Sequence, residues 1–312
     1  MSKFINPFTD YGFKLIFGRE VSKDLLIEFL NDLLEGERVI TDLTFLNNEQ
    51  LPDYPEGRGI IYDVYCTTDT GEKIIVEMQN RMQSNFKERS IFYLSRAIVN
   101  QGRTGHDWKF EIKAVYGVFL MNFIMDKNIK LRTDVILADK ETGELFSEKF
   151  RQIFIALPLF KKSEEECETN FERWIYILNN METLKRMPFK ARKAVFEKLE
   201  DIADVASMSP EDRERYDNSV KVYRDYLVTM DAAEKEGIKK GMEEGLKEGM
   251  KEGLKKGLEE GLEEGLKKGL KKGREEALNI FQTAIDMKKQ GIDNQLIAEK
   301  TGLPLSLIES LK

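Results

Sequence analysis

The chain has 312 residues, 41% of them hydrophobic and 34% charged, with a formal net charge of −7. That length holds one large domain or two smaller ones, and the acidic balance argues against a passive coat for nucleic acid. One histidine and two cysteines are too few for disulfide frameworks, Cys-rich zinc sites or His-rich metal centres, which leaves carboxylates, lysines and a hard metal as the means of any chemistry.

The opening MSKFINPFTDYGFK lacks the apolar stretch of a signal peptide, which predicts a cytoplasmic protein. Leu25, Leu26, Phe29, Leu30, Leu33 and Leu34 share one helical face, ended by Gly36. Strand-like runs follow at 38–46, 59–67 and 73–80, then a helix over 86–101 and a strand over 110–120. The longest nearly apolar run, 114–125, is broken by Gly117 and Asn122 and is too short to span a bilayer, so no membrane partner is expected. Helical stretches dominate from 164 to 230. The pattern predicts an α/β (α+β) core at 1–160, with a small sheet flanked by helices, and a helical extension at 161–230.

Two β-rich runs flank Asp69-Thr70-Gly71, a short hairpin turn. If the turn is symmetric about Thr70, paired residues have numbers summing to 140. One face then pairs Tyr62 with Met78, Val64 with Val76 and Cys66 with Ile74, an apolar face suited to the core. The other face sets Asp63 opposite Glu77, with Gln79 beyond it on the same side. Facing like charges are destabilising unless compensated, and a divalent cation with oxygen ligands is one compensator. A solvated face with nearby Lys or Arg partners is the other reading, and a one-residue slip in register would separate the two carboxylates.

From Gly237 to Gly273 a glycine recurs at every fourth position, ten of the 22 in the chain. Each of the first nine is followed by Ile, Met or Leu and then by two charged residues. The spacing predicts a helical arm over 231–277, about 55 Å long in its repeat region. Such glycines disfavour an isolated helix by about 1 kcal/mol each. The arm therefore reads either as a helix stabilised by a partner, giving a homo-oligomer, or as a repeat-expanded spacer. Residues 278–312 form a small segment in which Ala298, Gly302 and Ile308 have helix-turn-helix spacing.

Asp63, followed fourteen residues later by Glu77-Met78-Gln79, resembles the core of the PD-(D/E)XK nucleases. The opening Asn6-Pro-Phe-Thr-Asp-Tyr-Gly-Phe-Lys-Leu-Ile-Phe-Gly18, the Tyr62-Asp-Val strand, Ile75-Val-Glu-Met-Gln79 and Arg89-Ser-Ile-Phe-Tyr-Leu-Ser95 are similar to the recombination-promoting nucleases, or PD-(D/E)XK nuclease family transposases. The resemblance covers roughly residues 1–230. It implies a restriction-endonuclease-like core and metal-dependent hydrolysis of DNA phosphodiesters in recombination or mobile-element processing. It also implies that Asp63 and Glu77, with the backbone carbonyl of Met78, bind Mg²⁺, for which Mn²⁺ is a substitute. Gln79 stands where the superfamily usually has lysine, and glutamine supplies neither positive charge nor a proton. Lys73, Lys14 and Glu28 are candidate additions to the site. The alternative is a weak or inactive nuclease fold serving as an oligomerising interaction module.

The remaining candidates have plainer readings. Asp10 and Lys14 are spaced for an intrahelical ion pair, with Thr9 or Asp10 capping. Cys66 falls on the core face, and Cys167 lies among glutamates that raise a thiol pKa. His106 sits in a polar loop. Lys185, Arg186, Lys190, Arg192 and Lys193 could meet phosphates but also suit a charged helix surface.

Overall fold

A computed structural model describes residues 2–51, 59–103, 109–190 and 193–311. His106 and Arg192 lie outside the described residues. The chain divides into two compact units, one ending at Val228 and the other beginning at Thr229. Among the described residues, no helix is long and apolar enough to cross a membrane.

The strands are β1 (Leu43–Phe45), β2 (Glu49–Gln50), β3 (Ile60–Ile61), β4 (Val64–Thr68), β5 (Lys73–Gln79), β6 (Val115–Met121), β7 (Arg132–Ala138) and β8 (Leu145–Ala156). Six of them form one mixed sheet in the order β1-β4-β5-β6-β8-β7, while β2 and β3 pair separately. β5, β6 and β8 run parallel to one another and the outer pairings are antiparallel. The crossover from β5 to β6 is made by α3 (Phe86–Val99).

Helices cover both faces. On one face Val64, Cys66, Ile74, Val76, Val118 and Ile155 pack against α1 (Asp10–Phe17), α2 (Lys23–Leu33), α4 (Asn170–Asn180) and α5 (Val195–Ala203). Trp174 is the hub there, with its ring 5.0–5.9 Å from those of Phe17, Phe29 and Phe196 and its Nε1 donating to Asp32 Oδ2 at 2.9 Å. On the other face Tyr65, Ile75, Phe119 and Phe154 meet Phe86, Leu94 and Ala97 of α3. α3 approaches so closely that a Cβ on Gly117 would lie 2.5 Å from Leu94 Cδ1.

The hairpin has the expected register, with Val64 opposite Val76 and Cys66 opposite Ile74, and Gly71 takes φ +92° in its turn. Tyr62 departs from it. The strand breaks at residues 62 and 63, so Tyr62 does not pair with Met78 on the face of Val64. It turns under α3, with its ring 4.9 Å from Tyr65 and 5.4 Å from Tyr93. The run expected at 38–46 shortens to β1, and β7 and β8 are strands that the sequence pattern did not single out.

The opening signature is a knot around the start of α1. Thr9 Oγ1 accepts from Gly12 N at 3.0 Å and donates to Asn6 O at 2.8 Å. A Cβ at Gly12 would lie 2.2 Å from that same Asn6 oxygen, so the position demands glycine. The knot is tied to the beginning of α6 (Pro210–Lys289): Asn6 N donates to Tyr216 Oη at 2.8 Å and Tyr11 N to Ser219 Oγ at 3.1 Å.

In the second unit the glycine repeat is helical, and the Cβ positions of all ten glycines face open space. Glu264 and Lys268 form an ion pair at 2.9 Å. α7 (Asn294–Thr301) and α8 (Leu305–Ser310) follow, turned by Gly302 at φ +71°. Ala284, Ile297 and Ile308 make a small core, with Ala298 packed at its edge.

Candidate active site

β5 passes through the middle of the sheet and ends at Glu77, Met78 and Gln79. Glu77 and Gln79 point to the α3 side because alternate residues of a strand share a face. Asp63 reaches the same place from the break before β4, where Asn48 Nδ2 holds its carbonyl at 2.9 Å. The two acidic residues are laced together: Asp63 N donates to Glu77 Oε1 at 3.1 Å, and Met78 N donates to Asp63 Oδ2 at 2.8 Å. Gln79 Nε2 donates to Glu77 Oε2 at 3.0 Å. Glu77 is only 1% exposed, yet these donors are all neutral amides. Among the described residues, no ion pair forms on either carboxylate.

The electrostatics follow from that geometry. Burial pushes the Asp63 carboxyl up to about 6, against the opposing pull of the Met78 amide and the Lys14 charge. Burial raises Glu77 well above the usual carboxylate range, and the neighbouring Asp63 charge raises it further. Arg89 on α3 acts on both in the opposite sense. Its guanidinium is held by Tyr93 Oη at 2.9 Å and Gln83 Oε1 at 3.1 Å.

The carboxylates open into a cleft of about 420 Å³. Phe8, Thr9 and Asp10 line one side, Ile61 and Arg89 others, and Ser219, Val222, Tyr223 and Tyr226 of α6 complete the wall. Asn80 lies at its floor, donating from Nδ2 to Phe8 O at 2.6 Å, while its buried Oδ1 has no hydrogen-bond partner among the described residues. Buried Glu77 and half-buried Asp63, neither in an ion pair among the described residues, share the cleft with the unsatisfied Asn80 oxygen and together are a hard oxygen donor set. That set fits Mg²⁺, which takes one or two protein carboxylates and keeps several waters. Among the described residues, no three His, Cys, Asp or Glu gather around a point, so further ligands would be backbone, water or substrate oxygens.

A paired acid and glutamate at the end of a central strand, crossed to a parallel neighbour by one helix, coincide with a family match. The model of the PD-(D/E)XK nuclease family transposases matches residues 7–233. The chain belongs to that family. No curated protein and no solved structure matches it. Membership makes the fold a PD-(D/E)XK fold, and the family is one of nucleases and transposases.

The other residues weighed from sequence separate cleanly. Lys73 sits four positions back along β5, roughly 13 Å away, and lines a different hollow with Gly71 and Lys113. Lys14 is near enough to act on Asp63 but is bonded to Asp10 at 2.7 Å. Glu28 pairs with Lys193 at 2.6 Å and is not in the cleft. Arg186, Lys190 and Lys193 are paired with Glu164, Glu200 and Asp32, which is the charged-surface reading of that cluster. Burial raises the Cys66 thiol to about 12 and the Cys167 thiol to about 11, so both are inert.

Arg89, Asn80, Tyr223 and Tyr226 were assigned no role from sequence. Arg89 opens the quoted helix signature, and its spacing from Tyr93 by one helical turn was the available signal. Nothing local marks the α6 tyrosines.

Proposed function

We propose that this protein is a divalent-metal-dependent endonuclease that hydrolyses DNA phosphodiesters, acting in recombination or mobile-element processing. The buried Asp63–Glu77 pair at the end of β5 carries the reading. It is unfavourable for the fold alone and is relieved by a cation. Asp63 and Glu77 would hold Mg²⁺, or Mn²⁺ in its place, with the Met78 carbonyl as a further ligand. A metal held there would polarise the scissile phosphate and acidify a bound water.

The protein's own groups have distinct tasks. The Met78 amide and the Gln79 side chain fix the two carboxylates in one orientation, so no reorganisation is needed when the substrate arrives. Gln79 orients a nucleophilic water but does not deprotonate it. Positive charge comes instead from Arg89, beside the carboxylates, and from Arg81 at the rim, whose guanidinium lies 5.7 Å from the Tyr226 ring centroid. These two arginines suit the phosphates flanking the cut, since a guanidinium matches phosphate geometry. The aromatic side chains of Tyr223 and Tyr226 offer faces on which an unpaired base stacks.

The test is cleavage of supercoiled and single-stranded DNA in Mg²⁺, Mn²⁺ or EDTA by wild type, Asp63→Ala and Glu77→Ala. Metal-dependent nicking lost in both variants supports the reading. Equal inertness of all three proteins on both substrates overturns it, and leaves the chain as a nuclease-fold interaction module.

A further inference from the structure

The repeat leaves a continuous apolar row in water. Ile238, Met242, Leu246, Met250, Leu254, Leu258, Leu262, Leu266 and Leu270 are each between 57% and 73% exposed, although every one stands beside a glycine. The side chains make an i±4n ridge, and the glycines make an equally long groove next to it. Ridges of this kind interdigitate with grooves of the same kind on a second helix, with a right-handed crossing. The occupant that fits a ridge and groove of period four is another helix of period four.

The charges identify both the occupant and its direction. In a parallel, in-register pair every charged couplet would meet its own copy, lysines against lysines and glutamates against glutamates. In an antiparallel pair the outcome depends on register. When facing residues have numbers summing to 515, the lysines at 239–240 oppose the glutamates at 275–276, and the glutamates at 243–244 oppose the lysines at 271–272. The lysines at 255–256 oppose the glutamates at 259–260. The mixed couplets at 247–248 and 251–252 each give one attractive and one repulsive contact. In that same register Leu246 lies over Gly269, Met250 over Gly265, Leu254 over Gly261 and Leu258 over Gly257. A shift by one repeat in either direction sets lysines at 239–240 against lysines at 271–272, or glutamates at 243–244 against glutamates at 275–276.

We propose that the arm pairs with the arm of a second copy of this chain, antiparallel, in the register where facing residues sum to 515. The two-fold axis passes between Gly257 and Leu258. Leucine and methionine side chains seat on the partner's glycines, and the flanking couplets select direction and register. The inference concerns the second unit only and stands or falls independently of the nuclease reading.

Spin labels on introduced cysteines of the full-length protein test it, since Cys66 and Cys167 are buried. Sedimentation should give a dimer. In that dimer a label at Glu259→Cys faces residue 256 of the partner, an axial offset of about 5 Å, whereas a label at Lys240→Cys is offset from its twin by about 52 Å. The expected result is a short distance for the first label and a long one for the second. Short distances at both sites would mean a parallel pair, and a monomer would mean no pairing; either overturns the proposal. Charge reversal gives a second test. K255E/K256E and E259K/E260K should each weaken the dimer while remaining helical by circular dichroism, and mixing the two variants should restore association. Dimers indifferent to both reversals would overturn the register.

Discussion

Asp63 and Glu77 lower the stability of the metal-free fold at neutral pH, and the sign can be worked out. With its carboxyl pushed up to about 6, folded Asp63 keeps a proton that the unfolded chain has released near pH 4. The stability carried by that proton is complete below about pH 4 and is lost as pH rises through 6. Asp63→Asn should therefore stabilise the metal-free protein at pH 7.5 by about 2–3 kcal/mol, with the advantage vanishing near pH 4. Glu77→Gln should act in the same direction. Thermal melts over pH 4–8 measure this, and added Mg²⁺ should raise the melting temperature of wild type but of neither variant. Arg89 favours the charged form of both carboxylates. Arg89→Met should then shift the acidic limb of the cleavage profile upward by roughly half a unit to one unit, measurable as rate against pH. A merely structural arginine would lower the rate at all pH values without moving that limb.

At the scale of elements, two glycines allow close approaches: Gly117 that of α3 to the sheet, and Gly12 that of the opening loop to α1. A Cβ at position 117 meets Leu94 and Phe119 side chains, which give way. Gly117→Ala should cost about 1–3 kcal/mol in urea denaturation by overpacking. At Gly12 the obstacle is backbone, the Asn6 carbonyl, so Gly12→Ala should be the more damaging of the pair. The β4–β5 hairpin was legible in the sequence because a short turn fixes register, and register puts Glu77 and Gln79 on one face of β5; Asp63, just outside the ladder, joins them through its hydrogen bonds with Glu77 and Met78. The hairpin's break at Tyr62 was not legible, because α3 covers the second face and draws the aromatic ring to that side. β7 and β8 were missed for a different reason. β7 is the sheet edge and pairs with β8, and Val135, Ile136, Leu145 and Phe146 are exposed there beside Asp134 and Arg151, so the alternation that marks a half-buried strand is lost along β7 and the first half of β8.

At the scale of the first unit, the cleft is a long-range construction. Asn6 and Tyr216 meet across 210 residues, and Tyr11 and Ser219 across 208. No local pattern announces that residues 219–226 stand over a site made by residues 63–79, which is why the α6 tyrosines escaped the sequence reading. Tyr216→Phe would leave the buried Asn6 amide without its acceptor, at a cost of about 1–3 kcal/mol. Hydrogen exchange should show lost protection at Asn6 and through α1, while the β5 and β6 amides remain slow.

The knot between residues 6–12 and the start of α6 has a consequence for biosynthesis. The two carboxylates and the strands that hold them are all made early in translation, but one wall of the cleft belongs to residues 219–226. A ribosome must add about 140 further residues after Gln79 before that wall exists, some 7–30 s at ordinary elongation rates. Until then the opening signature lacks its bonds to Tyr216 and Ser219, and the acidic pair lies open along that side. A polypeptide released before Tyr216 would carry the whole acid-acid-glutamine constellation yet lack the α6 wall of the cleft. Maturation of the site is thus timed by the arrival of α6.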